Sequence, residues 1–388
     1  MKLNNCDICI GLWGIYYLQG IVYQAGIINK VLLLILIFMQ LGSFLKSFTS
    51  DFKKPVIAST CLLLLMYIVY GGLIIIFGDG IDWTSDSDYL KCSLLSLLPI
   101  LFFYHETKKG HLTERRIMIY TILAIVVSIL KFNYVGQMMA SVLGNDEVTN
   151  NMGYMFVAII PMLCFFNRRP LLQYVLLLVI FVYIILGMKR GAILIGAMSS
   201  LILLYGVLKT ANKRMKLVVF LLTTVLILIT VFYVENLLNS SDYFVHRIEQ
   251  TMSGDSSARD EIYSGIWTEV TNETRIVPFL FGRGANSSIY YGGNYAHQDW
   301  LETFCNNGII GVLLLSYFFF SIIRAIACGR TVLNPYMLYS FVILFILTFT
   351  KTLFSMSIQN MDMYQGMLIG YLTYNSTSSG CKQIVHRL

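Results

Sequence analysis

The chain has 388 residues, of which 57% are hydrophobic and only 13% charged. A soluble domain ordinarily carries about a quarter charged residues, so this composition excludes a soluble enzyme and a soluble domain on a single anchor. It predicts one integrated membrane domain, residues 1–388. The formal net charge of +7 does not point to nucleic acid, because the basic residues sit mostly in short links between apolar runs, where they report membrane topology.

A membrane span needs roughly 20 apolar residues. In chain order the apolar runs predict helices near residues 8–24, 28–46, 55–77, 90–104, 117–132 and 152–166. Six more follow near 171–187, 191–208, 217–236, 298–323, 332–354 and 358–375, making about twelve spans. The first run, Ile8 to Val22, has only Lys2 before it and no small-residue cleavage site, so it reads as a span and not as a signal peptide. Eighteen of the 28 Lys and Arg residues fall in links on one side of these spans, among them Lys53, Lys54, Lys108, Lys109, Arg115, Arg116, Arg168 and Arg169. The other side carries the acidic stretch Asp79, Asp82, Asp86 and Asp88. The positive-inside rule then puts both termini in the cytoplasm of a bacterial inner membrane.

On that topology the polar stretch Leu237–His297 is a large external or periplasmic loop. It contains none of the eight cysteines, so no disulfide framework is expected. Cys6 and Cys9 form a Cys-x-x-Cys with no second pair and do not constitute a metal site. Within the loop, Ser257 and Asp260 have capping-box spacing and predict a helix through about Val270, with Ile262, Ile266 and Val270 along one face. Ordered loops of this length are usually functional.

Several residues in or near the loop could carry chemistry. Lys189 and Arg190 lie in Gly187-Met188-Lys189-Arg190-Gly191, on the external side and against the charge bias. A link this short holds both cations at the membrane boundary, where unpaired charge is costly and function is the default hypothesis. The flanking glycines suit close approach of backbone to a ligand. Arg259 lies near the predicted helix start, where backbone N–H groups already favour anions and a guanidinium grips phosphate in a bidentate fork. The loop's charges of this sign are all arginine: Arg247, Arg259, Arg275 and Arg283. His297 precedes the tenth span in Tyr295-Ala296-His297-Gln298-Asp299-Trp300-Leu301-Glu302. An unperturbed imidazole titrates near neutrality, which suits a general base. Asp299 and Glu302 are three apart and share a helix face. Phe281-Gly282-Arg283-Gly284 lacks the strand and helix context of a nucleotide fold, and no His-Glu-x-x-His or Asp-x-Asp pattern points to metal.

Taken together, these stretches resemble the O-antigen polymerase and ligase superfamily. The resemblance runs from Gly187-Met188-Lys189-Arg190-Gly191 through Ser257-Ala258-Arg259-Asp260 with Trp267, then Phe281-Gly282-Arg283-Gly284 and His297-Gln298-Asp299-Trp300-Leu301-Glu302, to Gly308-Ile309-Ile310-Gly311. Gln298 stands where the family commonly has Asn. The resemblance implies an all-α polytopic membrane protein of membrane glycosyltransferase (GT-C-like) type. It implies an undecaprenyl-pyrophosphate-linked glycan as substrate, transferred at the outer face of the inner membrane with inversion and without nucleotide sugar, metal or cofactor. Within the family, the modest size of the chain and its Tyr/Phe/Ile/Leu-rich makeup favour a polymerase over a ligase that moves polymer to lipid A core. The alternative class is a flippase for the same lipid-linked unit. In the polymerase reading Lys189, Arg190 and Arg259 bind the pyrophosphate and His297 is the base, with Glu302 or Asp260 orienting or replacing it. The lipid bilayer, a chain-length regulator and a flippase are the implied partners; nucleic acid is not one.

Overall fold

A computed structural model describes residues 3–23, 26–77, 83–143, 150–210, 212–240, 249, 259–358 and 360–377. Among these the chain is helical, with fifteen α-helices and no strand. Those of the membrane body's first half are α1 (Asn5–Tyr17), α2 (Ile27–Lys46), α3 (Pro55–Phe77), α4 (Trp83–Lys108), α5 (Glu114–Leu143) and α6 (Gly153–Ile159). Next come α7 (Pro170–Leu186), α8 (Arg190–Thr210) and α9 (Lys213–Ser240). Three helices occupy the polar stretch: α10 (Arg259–Asn272), α11 (Ile276–Phe281) and α12 (Ser287–Gly292). The last three are α13 (Asp299–Gly329), α14 (Pro335–Thr352) and α15 (Met363–Thr377).

Among the described residues six segments are long and apolar enough to cross a membrane: Ile27–Asp51, Pro55–Leu73, Glu114–Ser141, Arg190–Lys209, Asp299–Gly329 and Pro335–Thr352. Every apolar run in the sequence coincides with a helix, but some helices are shorter than the run. The run at 8–24 is helical only to Tyr17, after which the chain turns through Gly20 at φ 85°. The run at 152–166 begins as α6 and tightens into a 3₁₀ helix over Ile160–Phe166. Pro161 explains the change, since it has no N–H to continue the α ladder. The Pro161 carbonyl is met by the Ser340 hydroxyl at 2.9 Å.

The core is organised around α15, which is buried along nearly its whole length and packs on α4. Gly366 and Gly370 form the contact; a Cβ at Gly366 would meet Pro99 at 2.8 Å, and one at Gly370 would meet the Tyr104 nitrogen at 2.7 Å. Small residues four apart let two helix backbones touch, which is how helices associate where lipid removes the hydrophobic drive.

The glycine motifs of the second half form a single device. Helix α13 breaks at Gly308 (φ 65°, ψ −163°), which strips the carbonyls before it of their helical partners. The Arg283 N–H donates to the Cys305 carbonyl at 2.9 Å and the Gly284 N–H to the Asn306 carbonyl at 3.1 Å. Thus the Gly-x-Gly turn after α11 fills the break in α13, and Gly282 (φ 78°) lets the two backbones meet. At Gly308 a Cβ would lie 2.5 Å from the Leu280 carbonyl in a conformation essentially reserved for glycine. Gly308→Ala is therefore expected to cost at least ~1–3 kcal/mol, read as a lower melting midpoint of the solubilised protein. An unchanged midpoint would mean that the break is not required.

The predicted loop helix is α10. Ser257, its expected cap, lies outside the described residues. Ile262 and Ile266 are buried and Val270 packs beside them, against Ala296 and Cys305. That small cluster fixes α10 on the approach to α13, so the first residue of α10 and the last residues before α13 come together.

Candidate functional site

The helix ends that carry the sequence motifs converge on a cavity of about 560 Å³. Lys189, Arg259 and His297 line it, brought from three separate segments. Two further charged residues join them, Lys351 from the last turn of α14 and Asp362 from the link into α15. Arg190 opens α8 and is not among the lining residues, and Asp260 points to solvent.

The Lys189 turn is held by the protein itself. The Asn150 N–H donates to the Gly187 carbonyl at 2.9 Å, and the Asn150 amide donates to the Phe132 carbonyl at 3.0 Å. A Cβ at Gly187 would crowd the Asn150 carbonyl at 3.1 Å, and one at Gly191 would strike Phe354 at 2.5 Å as well as the Tyr154 hydroxyl. The two glycines thus admit neighbouring parts of this chain, where the sequence suggested that they admit a ligand. With Met188 at φ 49° the turn is tight, and it presents Lys189 to the cavity.

His297 is placed by the carboxylates that follow it. Glu302, 3% exposed, accepts from the Ala296 N–H at 3.0 Å, the Ser288 hydroxyl at 2.6 Å and the Asn306 amide at 3.0 Å. It grips the residue before His297, which itself adopts a left-handed backbone at φ 52°. Asp299, 4% exposed, accepts from the N–H groups of Ser357 and Ile358 at 2.7 and 3.0 Å. Asp299 therefore anchors the link between α14 and α15, the segment that brings Asp362 to the cavity. Both acids are buried and hold backbone through hydrogen bonds, so they act as positioning groups; neither lines the cavity.

The cavity's electrostatics are graded. Lys189 and Arg259 both act on His297, and Arg259 also acts on Tyr154. The Lys351 ammonium stands 4.9 Å from the centre of the Tyr154 ring and donates to the Asn360 carbonyl at 3.4 Å. Burial, and then the charges of Arg259 and Lys189, hold the His297 imidazole below its ordinary pKa. Asp362 lines the same cavity as Lys351. Tyr17 also lines it and stacks on Trp13 with ring centres 4.9 Å apart. Such a site can hold a multiply charged anion between Lys189, Arg259 and Lys351 and can take a proton on a neutral imidazole.

Lys351 and Asp362 were hidden in the sequence because each sits at the edge of an apolar run and belongs to no motif. The available signal was isolation: each is the only charged residue of its predicted span, 332–354 and 358–375. Intramembrane ionisable residues are functional candidates by default. Compared with known proteins, the chain matches no family model, and no curated protein matches it.

Proposed function

We propose that this chain is a polysaccharide polymerase of the bacterial inner membrane, joining undecaprenyl-pyrophosphate-linked oligosaccharide units at the outer face. The observation that carries the reading is the convergence of Lys189, Arg259, Lys351 and His297 on one cavity, three of them at the ends of apolar helices and Arg259 at the start of the loop helix α10. A lipid-linked pyrophosphate has the matching form, an anion at the interface with a tail in the bilayer. The reading includes about twelve spans, both termini in the cytoplasm and the cavity open to the outside.

In this mechanism the acceptor sugar's hydroxyl oxygen attacks the anomeric carbon of the donor. The bond from that carbon to the pyrophosphate oxygen breaks, and its electron pair leaves with the lipid pyrophosphate. The growing negative charge is stabilised by fixed cations aimed at it before the reaction begins. Arg259, Lys189 and Lys351 have that place; Arg190 stands one residue outside it. His297 takes the hydroxyl proton, and the two cations beside it keep it neutral and ready to do so. Glu302 and Asp299 hold the geometry and Asp260 has no part.

Deletion with complementation, read on a glycan gel, tests the assignment. A strain lacking a polymerase is expected to cap its lipid A core with a single repeat unit, and the wild-type gene restores the ladder. Bare core would favour the ligase or flippase class, and an unchanged ladder would overturn the proposal.

A further inference from the structure

Helix α11 lies in the polar stretch, yet its six residues are Ile-Val-Pro-Phe-Leu-Phe and none of them is buried. Ile276 is 71% exposed, Val277 62%, Phe281 50% and Phe279 48%. Four large apolar side chains turned out together mark a surface that something covers. The helix cannot cross a membrane, because six residues rise only about 9 Å against the ~30 Å of a bilayer core. It packs on α13, where the rings of Phe279 and Phe304 have centres 6.0 Å apart and the Leu280 carbonyl lies against Gly308.

What covers the exposed side follows from its level along α3. The Tyr70 hydroxyl of α3 donates to the Phe281 carbonyl. Tyr70 belongs to Pro55–Leu73, one of the segments long and apolar enough to span. Leu65, Val69 and Leu73 are exposed at four-residue spacing along that segment, the stripe that α3 turns outward to lipid. Beyond Tyr70, α3 runs on through Gly71-Gly72-Leu73-Ile74-Ile75-Ile76-Phe77, with no polar side chain, for a further ~10 Å. The end of α11 thus stops well short of the apolar end of α3. The charges beside α11 are paired: Arg275 with Glu273 at 2.9 Å, and Arg283 with Glu273 at 3.5 Å and with the Glu269 carbonyl at 3.0 Å.

We propose that α11 is a re-entrant helix whose exposed side is covered by lipid acyl chains, in the leaflet on the cavity's side of the membrane. The stretch 237–297 then dips into the bilayer at α11 and is anchored there. The inference goes beyond the glycosyl-transfer reading and does not depend on it. Backbone at such a depth has to find its hydrogen bonds within the protein. Here the Gly282 N–H donates to the Pro278 carbonyl at 2.8 Å, and Tyr70 takes the Phe281 carbonyl. The Arg283 and Gly284 N–H groups meet the carbonyls of Cys305 and Asn306, freed by the break at Gly308. The break in α13 is thus where the chain leaves the lipid again, and Arg283 ties α10 to the anchor through the Glu269 carbonyl.

The test uses the full-length protein in nanodiscs of phosphatidylethanolamine and phosphatidylglycerol. A fluorescent amino acid is introduced by stop-codon suppression at one position at a time. Phe279 is the position tested; Leu313, exposed on α13, is the lipid reference, and Glu261, exposed on α10, is the water reference. The quenchers are iodide in the water and phospholipid brominated on its acyl chains. The probe at Phe279 is expected to lose emission to brominated lipid as the probe at Leu313 does, and to lose far less to iodide than the probe at Glu261. Bromines near the head group are expected to quench it more than bromines at the chain end, since an interfacial helix enters only ~5–10 Å. A probe at Val277, which is more exposed, repeats the measurement without touching the Phe279–Phe304 ring contact. Iodide quenching equal to that at Glu261, with no effect of brominated lipid, puts α11 in water and overturns the proposal. Shielding from both quenchers means that protein covers the face, another part of this chain or a second copy, and overturns it as well.

Discussion

Arg259→Ala is expected to leave no visible polymer ladder while the protein accumulates at its normal level. The two halves of that expectation have different physical sources. Arg259 is the first residue of α10, and α10 is held by Ile262 and Ile266 packing on Ala296 and Cys305. Removing the guanidinium therefore leaves the docking of the helix in place. What is lost is a fixed charge close to His297 and Tyr154, in a cavity it shares with Lys189 and Lys351. Losing one preorganised group that stabilises developing charge typically costs about 10²–10³ in rate, enough to empty a ladder in cells. Arg259→Lys is expected to rescue poorly, because an ammonium is a point charge and cannot reproduce the planar fork. Lys351→Met is expected to behave like Arg259→Ala, and Lys189→Met to lose less. The check is a glycan gel beside an immunoblot of membranes. Polymer of normal length in the Arg259→Ala strain would remove the pyrophosphate site from the proposal.

The fold was legible wherever apolar length carried the information. The runs at 28–46 and 55–77 became α2 and α3 almost residue for residue, because a helix is the way for such a run to satisfy its backbone inside lipid. Legibility ended where a particular contact decides the boundary. The run at 358–375 starts its helix only at Met363, where the Asp362 N–H donates to the Gln365 side chain at 3.0 Å, while Asp299 fixes the backbone N–H groups of Ser357 and Ile358 ahead of it. No local pattern announces a bond between residues about sixty positions apart. Within the polar stretch, the four-residue spacing of Ile262 and Ile266 was sufficient to find α10, because that spacing is itself the packing face.

The candidate site was legible in part for the same reason. Lys189, Arg259 and His297 stand out as charge against an apolar or glycine-rich background, and all three line the cavity. Glu302 and Asp260 looked alike in sequence as carboxylates near a motif. Burial separates them, with Glu302 enclosed by Ser288, Ala296 and Asn306 and Asp260 in solvent. The Gly-x-Gly turn was visible as a motif, but its partner was not. Only the folded chain brings Arg283 and Gly284 to the carbonyls freed at Gly308.

His297→Ala is expected to stop joining while undecaprenyl pyrophosphate still binds, since the three cations remain. Removing a general base costs about 10²–10⁴ in rate. His297→Gln keeps a hydrogen-bonding side chain without a proton-accepting ring nitrogen, so it is expected to fail almost as badly, whereas a purely structural histidine would be partly replaced by it. The pH profile adds a readout that structure alone would not move. The base works in its neutral form, and burial with Arg259 and Lys189 disfavours the protonated one. The acid limb of the wild-type profile is therefore expected below the ordinary imidazole value of about 6.5. Lys189→Met takes away one of the two cations, so protonation becomes easier and the acid limb moves to higher pH. The rate on the plateau is expected to fall less than in Arg259→Ala. The measurement is the initial rate of joining by purified protein from pH 5 to 8. An acid limb that stays in place in Lys189→Met, together with His297→Gln retaining more than about a tenth of the wild-type rate, would take the proton-accepting role away from His297.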